Sequence, residues 1–251
     1  MPLLLKILLA SFLSGVVSLL GGIALLGRAE WVRKFSIHFV TFAAGALLAA
    51  AFLDLLPEAF ALPDASAETL FGYVLGGMLL FFLLERTILK FHAHHHGDDP
   101  EHHHASPILV QVADTAHNFI DGIVLAVAFL VDPALGIVTT AAVGAHELPQ
   151  EIGDFSVMLH HGYRRRTILG VNVLSSLASL LGAFLAYLSR SFIEPYLPVL
   201  LALAAGHFIY IAAVDLIPEV SAKTRPDRIS HVIGLLLLGV LVVWILGRFL
   251  E

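Results

Sequence analysis

The chain consists of apolar blocks of about 20 residues that are separated by short polar segments. An α-helix needs about this length to cross a hydrocarbon layer roughly 30 Å thick, whereas a membrane β-strand needs only about 10 residues. The composition agrees: 58% of the residues are hydrophobic and 14% are charged, against about 25% charged in a soluble domain. The sequence therefore predicts an all-α integral membrane protein whose main partner is the lipid bilayer, and nucleic acid is not an expected partner.

Eight segments are predicted as transmembrane helices. They are 3–26, 35–60, 69–90, 107–131, 134–160, 167–190, 196–219 and 229–249. The first, third, fifth and seventh connections hold Lys and Arg at or beside them, whereas the second and fourth hold none. Because Lys and Arg in short loops stay cytosolic, both termini are predicted to lie outside, and the plasma (inner) membrane is the expected location. The first span is expected to be retained, since its apolar run is longer than that of a cleaved signal.

Metal chemistry in this chain has to use histidine, carboxylate or amide ligands, since the sequence contains no cysteine. The predicted cytosolic loop 91–106 contains the run HAHHHGDDPEHHHAS and is dense in imidazoles. Its histidines are His92, His94, His95, His96, His102, His103 and His104. Such tracts often bind metal weakly, which predicts metal capture by this loop. The alternative is a polar linker whose histidines are incidental.

An internal repeat links the two ends of the chain. Residues 42–58 align without gaps on residues 203–219, and both segments end in Asp-Leu-x-Pro-Glu. The predicted topology runs them in opposite directions, so that 1–90 and 167–251 form inverted repeats around helices 107–160 in a single transmembrane domain, 1–251. Inverted repeats are common in secondary transporters. The alternative is chance similarity between two helices rich in Ala and Leu.

The repeat also places acidic side chains near both membrane faces. Asp54 and Glu58 lie at the predicted outer end of the second span, and Asp215 and Glu219 lie at the predicted inner end of the seventh. Carboxylates at two mouths of one pathway would concentrate cations. The alternative is that Pro57 and Pro218 merely end their helices and that the two glutamates lie at the membrane interface. A purely structural role is a weaker explanation for the two aspartates, because they lie one turn deeper and cost more to bury.

The fourth and fifth spans carry a cluster of polar residues inside the predicted membrane region. It comprises Asp114, His117, Asn118, Asp121, His146, Glu147, Gln150, Glu151 and Asp154. A charge at the bilayer centre costs at least about 2.5 to 3.5 kcal/mol, so such a cluster indicates function. The glycines at 122, 144 and 153 are expected to let the helices approach closely.

Helical spacing gives this cluster a shape. His117 and Asp121 are four residues apart and share one helical face, as do His146 and Gln150. If the faces meet, one cation is surrounded by these four side chains. A neighbouring cation is then surrounded by Asn118, Glu147 and Glu151. Two imidazoles with oxygen ligands suit Zn²⁺, Fe²⁺ or Mn²⁺ better than Na⁺ or Ca²⁺.

Two members of this cluster and one residue of the seventh span have alternative interpretations. Asp114 and Asp154 are predicted to line the pathway, or else to support ligands or lie at the interface. His207 stands alone near the middle of the seventh span and is either a pathway residue or a packing histidine.

Two motifs in these spans, HNFIDG at 117–122 and HELPQEIGD at 146–154, resemble the signatures of the ZIP (Zrt/Irt-like) family of divalent metal transporters, in particular its branch with a His-rich third loop. The resemblance implies an eight-helix 3+2+3 inverted-repeat bundle that moves Zn²⁺, Fe²⁺, Mn²⁺ or Cd²⁺ to the cytosol through a binuclear site, often as a homodimer. Its first metal set carries over to His117, Asp121, His146 and Gln150. Its second carries over to Asn118, Asp121, Glu147 and Gln150, with Glu151 nearby. Gln150 departs from the family pattern, because that branch has histidine there.

The alternative hypothesis is an intramembrane metallohydrolase, since His146 and Glu147 begin an H-E-x-x-H-like sequence. The second zinc-binding histidine of that motif is replaced here by Gln150, so the sequence predicts a transporter and no enzyme. A third hypothesis, a metal-sensing or storage membrane protein, would show saturable binding without translocation.

Overall fold

A computed structural model describes residues 1–63, 66–93, 107–225 and 228–250 of the chain. These residues form helices and connecting turns, and no strand occurs among them. The predicted metal-capturing histidines at 94–96 and 102–104, like the side chain of His92, lie outside the described residues.

The described chain folds into eight long helices. The first two form one helical stretch, Leu3–Ala49, that is broken at Arg28, where φ is −141° and ψ is 56°. We call the parts before and after this break α1 (3–27) and α2 (29–61). The others are α3 (Ala67–Ala93), α4 (Pro107–Val131), α5 (Pro133–His160), α6 (Arg165–Leu188), α7 (197–223) and α8 (Ile229–Leu250).

The connection that the sequence predicted between residues 26 and 35 is helical on both sides of Arg28. This segment is rich in Ala, Glu, Arg and Lys, which favour helix, and contains no proline. The chain therefore changes direction at a single residue.

Among the residues that the structure describes, seven helical segments are long and apolar enough to cross a membrane. The remaining long helix is α5, which carries Glu147, Glu151 and Asp154. The outer surface of the described bundle is apolar, with Leu83, Leu174 and Phe249 among its exposed side chains. Exposed leucines and phenylalanines on long helices are typical of a lipid-facing surface. The predicted all-helical membrane bundle is confirmed.

Helix pairing places α4 and α5 beside each other. α4 packs against α5, and the other main pairs are α1 with α5, α4 with α6, α2 with α8 and α3 with α7. Asp132 caps the start of α5, where its Oδ1 accepts a hydrogen bond from the backbone N–H of Ala134 at 2.7 Å. The turn between α4 and α5 is therefore tight, and the two helices run antiparallel.

Close approach of α4 and α6 depends on glycine. A Cβ on Gly122 would lie 1.9 Å from the backbone oxygen of Ser179, which confirms the prediction for this glycine. A Cβ on Gly144 would make only ordinary contacts, the nearest at 3.8 Å, and a Cβ on Gly153 would have no neighbouring atom within 4 Å. The prediction was wrong for Gly153, which faces open space. At Gly144 the backbone of α1 lies at ordinary contact distance, with Ser14 Cα 3.9 Å from the added Cβ, so this approach does not require glycine.

Both repeat segments contain a π-helical turn. These turns are Ala50–Leu55 in α2 and Ile211–Leu216 in α7, at equivalent positions of the alignment. Each is followed closely by the proline of Asp-Leu-x-Pro-Glu. In a regular α-helix the ring of this proline would clash with the backbone carbonyl four residues earlier. The wider turn accommodates the proline while the helix continues.

Candidate metal centre

Two histidines from neighbouring helices meet in the middle of the bundle. His117 on α4 and His146 on α5 bring their Nε2 atoms to 3.1 Å. Two nitrogen ligands of a tetrahedral zinc ion, each bonded at about 2.0 to 2.1 Å, are about 3.3 Å apart. The imidazole pair is thus spaced as one zinc ion requires.

Asp121 supplies a carboxylate to both imidazoles. Its Oδ2 lies 3.5 Å from His117 Nε2, one helical turn away, and 3.1 Å from His146 Nε2. The side chains of Asp121 and His146 are 1% exposed and that of His117 is 14% exposed. His146 Nδ1 lies 3.2 Å from the carbonyl oxygen of Ala142, so this contact orients the ring and leaves Nε2 toward Asp121. Such contacts commonly fix the tautomer of a metal-binding histidine.

Glu147 completes a group of four residues, which we call the central cluster: His117, Asp121, His146 and Glu147. Each offers one ligand atom, and these atoms all lie within 4.8 Å of one another. Both carboxylate oxygens of Glu147 are buried without a hydrogen-bond partner in the described structure, and the same holds for Glu151. A buried carboxylate without partners is costly unless a cation or a donor reaches it. The donor set therefore fits a divalent cation.

Asp114 organises a second polar group, one turn further toward the start of α4. Its Oδ1 accepts hydrogen bonds from Asn118 Nδ2 at 3.1 Å and from Gln150 Nε2 at 3.3 Å. Its Oδ2 accepts from Gln111 Nε2 at 3.1 Å and from the hydroxyl of Ser175 on α6. The amides of Asn118 and Gln150, predicted as ligands, thus donate to Asp114 here. Asp154 lies against this same carboxyl group.

His207 reaches the central cluster from α7. Its Nδ1 is 3.8 Å from Asp121 Oδ1, and its ring is stacked on Phe81 of α3 with centroids 3.4 Å apart and planes at 12°. Phe81 also meets the ring of His117 edge-on at 6.0 Å. The structure therefore brings His207 to the cluster, although the sequence left its role open.

The acidic residues of the repeat ends lie in different surroundings. Asp54 is half-buried in the π-turn of α2, where its Oδ1 would be 2.7 Å from a Cβ placed on Gly247 of α8. Glu58 is also half-buried. Asp215 is exposed, and Glu219 Oε1 pairs with Lys223 Nζ at 2.6 Å on the surface of α7. The structure does not bring these four residues to the central cluster.

Sequence reasoning missed Phe81, Gln111 and Ser175. A signal for Ser175 was present, since α6 carries small polar residues with helical spacing in an otherwise apolar stretch. These are Asn172, Ser175, Ser176 and Ser179, and all are buried. Phe81 has no such signal, because one phenylalanine in an apolar helix carries no information about its neighbour.

Comparison with known proteins bears directly on this geometry. The family described as ZIP Zinc transporter matches residues 3–108 and 92–247. The chain belongs to this ZIP family. Zinc transporter ZIP13 of Pongo abelii is 32% identical to it over 227 residues, which cover 85% of this chain and 67% of that protein. ZIP13 of Mus musculus is 31% identical over 254 residues, covering 85% and 70%. Zinc transporter ZIP4 of Homo sapiens is 36% identical over 135 residues, covering 52% and 21%.

Membership confirms the resemblance seen in the two signature motifs. Because ZIP proteins are transporters by name, the metallohydrolase hypothesis is not favoured. The side chain at position 150 agrees with this conclusion, since the amide of Gln150 donates to Asp114 and offers no second zinc-binding imidazole.

Proposed function

We propose that this ZIP protein carries zinc across its membrane and binds the ion at the central cluster. One observation carries the proposal: ligand atoms of two imidazoles and two carboxylates lie within 4.8 Å of one another inside a bundle of membrane-spanning helices. Nitrogen and oxygen ligands of this kind suit zinc. Fe²⁺, Mn²⁺ and Cd²⁺ are further candidate substrates, since similar ligand sets bind several divalent metals.

The site is binuclear in this proposal. Asp121 and Glu147 are shared by two ions, and the second ion is also held by Asn118 and Gln150, with Glu151 nearby. Support comes from the buried carboxylate oxygens of Glu147 and Glu151, which have no hydrogen-bond partner among the described residues. Asn118 Nδ2 and Gln150 Nε2 donate to Asp114. Binding of the second ion requires these amides to turn their NH2 groups away from Asp114, so that their oxygens face the ion.

The ion moves toward the cytosol. Polar side chains continue from the central cluster through Asp114, Gln150 and Asp154 to the start of α4 and the end of α5. In the other direction α4 is apolar and buried from Val124 to Phe129. The polar end adjoins the third and fifth connections, whose basic residues predict a cytosolic position.

Inverted repeats underlie this arrangement. The matching π-turns of α2 and α7 support common descent, as do the matching pairs α2 with α8 and α7 with α3. Asp54 and Glu58 then attract the ion at the outer mouth, and Asp215 and Glu219 lie near the inner mouth. The histidines of loop 91–106 receive the ion in the cytosol.

Two further proposals concern the setting of the protein. It resides in the plasma (inner) membrane with both termini outside, which membrane fractionation and accessibility of terminal tags would test. It forms a homodimer, as the resemblance implies, which crosslinking in intact membranes would test.

The decisive experiment is zinc uptake by sealed proteoliposomes that contain the purified full chain and an internal zinc-sensitive dye. We expect uptake by the wild type and its loss in a His117→Ala, His146→Ala double variant. A matched control is the His160→Ala, His161→Ala variant, which removes two histidines from the end of α5 and should transport normally. Normal uptake by the first variant would end the proposal, and zinc binding without uptake by the wild type would favour storage. Competition with Fe²⁺, Mn²⁺ and Cd²⁺ ranks the substrates.

A further inference from the structure

A third imidazole faces the central cluster from a helix that the signature motifs do not include. His207 on α7 is 1% exposed, and its Nδ1 is 3.8 Å from Asp121 Oδ1. Its ring centroid is 5.3 Å from that of His117. Both ring nitrogens are buried and have no hydrogen-bond partner in the described part of the chain. Burying such a group without partners costs free energy, which a metal ion would offset.

The neighbours of His207 hold its ring in one orientation. Phe81 stacks on one face with centroids 3.4 Å apart. Phe208, the next residue of α7, lies 5.7 Å away at 56°. A stacked ring has little rotational freedom, so its Nδ1 edge stays toward Asp121.

The side chain of Gln150 is directed elsewhere. Its Nε2 donates to Asp114 Oδ1 at 3.3 Å, which places the amide in the second polar group. The central cluster therefore has two imidazoles from α4 and α5, and the third nitrogen donor close to it is on α7.

We propose that His207 is a direct ligand of the transported ion, which is then held by imidazoles from α4, α5 and α7 together with Asp121. This inference rests on the proposed function and adds to it a ligand from outside the α4–α5 pair. α7 packs mainly against α3 and α2, whereas α4 and α5 pack mainly against α6 and α1. An ion bound in this way joins the two groups of helices, and displacement of one group removes a ligand.

Cysteine substitution provides a specific test, because the chain contains no cysteine of its own. In a His207→Cys variant the single thiol can ligate Co²⁺ or Zn²⁺ as a thiolate. We expect Co²⁺ titration of the purified full chain to produce a thiolate-to-cobalt charge-transfer band. The histidines of loop 91–106 cannot give this band. The control is Ser11→Cys, a buried position on α1 whose hydroxyl contacts Ser179, and it should give no band.

A second variant separates ligation from packing. His207→Phe keeps an aromatic ring against Phe81 but has no nitrogen, so ligation predicts that the KM for zinc uptake rises about ten- to a hundredfold. If His207 only packs against Phe81, zinc uptake by the His207→Phe variant should be close to that of the wild type, and uptake by the His207→Cys variant should be impaired.

The outcomes separate this inference from the proposed function. Absence of the band in a monodisperse His207→Cys protein, or an unchanged KM in His207→Phe, overturns ligation by His207 while wild-type uptake still supports transport. A band in His207→Cys without zinc uptake by the wild type supports the ligand and contradicts the transport proposal.

Discussion

Replacing the Glu147 carboxylate by a neutral amide should stabilise the metal-free protein and at the same time weaken its binding of zinc. Glu147 is 2% exposed, and its two carboxylate oxygens have no hydrogen-bond partner among the described residues. A buried charge costs about 2.5 to 3.5 kcal/mol on insertion scales, whereas an unbonded amide costs about 1 to 2 kcal/mol. Glu147→Gln should therefore stabilise the metal-free protein relative to the wild type, by at most about 2.5 kcal/mol.

The zinc-dependent part of the stability should change in the opposite direction. At a zinc concentration of about one hundred times the wild-type Kd, binding stabilises the folded state by about 2.7 kcal/mol. If the substitution weakens binding about a hundredfold, the same concentration gives only about 0.4 kcal/mol. With about 2 to 4 °C for each kcal/mol, the zinc-induced rise in Tm falls from roughly 5 to 10 °C to about 1 °C.

Thermal unfolding of purified protein in detergent, with and without zinc, measures both effects. Glu194→Gln is the matched control, because Glu194 is an exposed glutamate on the connection between α6 and α7. It should keep the full zinc-induced shift. A Glu147→Gln protein that is less stable without metal and retains the full shift would refute the assignment of Glu147 as a ligand.

Three further predictions follow from the same geometry. Gln150→His should raise the preference for Zn²⁺ over Mn²⁺ in uptake competition, because imidazole replaces an amide. If the order of the two metals as substrates does not change, residue 150 does not contact the ion. Gly122→Ala should destabilise the protein by about 1 to 3 kcal/mol through the clash with Ser179. Gly153→Ala, with no atom within 4 Å of the added Cβ, should be neutral or stabilising by up to about 1 kcal/mol in the same melting assay. Zinc uptake should weaken as the pH falls, because histidine and carboxylate ligands must be deprotonated to bind the metal; uptake that does not change as the pH is lowered would argue against these ligands.

The helices and the central cluster were accessible from sequence for separate reasons. Apolar block length predicted the spans, and the four-residue spacing of His117 and Asp121 placed them on one face of α4. The four-residue spacing of His146 and Gln150 likewise placed these two side chains on one face of α5, opposite His117 and Asp121. These features depend on local periodicity, which the sequence records directly.

Other features depend on contacts between helices and could not be predicted in this way. Periodicity assigns Gln150 to the face of His146 but does not say that its amide donates to Asp114. The approach of His207 requires the relative position of α7 and α4, which no local pattern encodes. The sequence predicted a loop between residues 26 and 35, because basic residues are common in the loops of membrane proteins. Arg and Lys also favour helix, and the structure breaks the helix only at Arg28.

Anomalous X-ray diffraction at the zinc edge, on crystals of the protein soaked with zinc, would locate the bound ion directly. We expect a peak between α4 and α5, about 2.0 to 2.1 Å from Nε2 of both His117 and His146. Zinc bound elsewhere on the protein, with no peak between these two imidazoles, would contradict zinc binding at the central cluster.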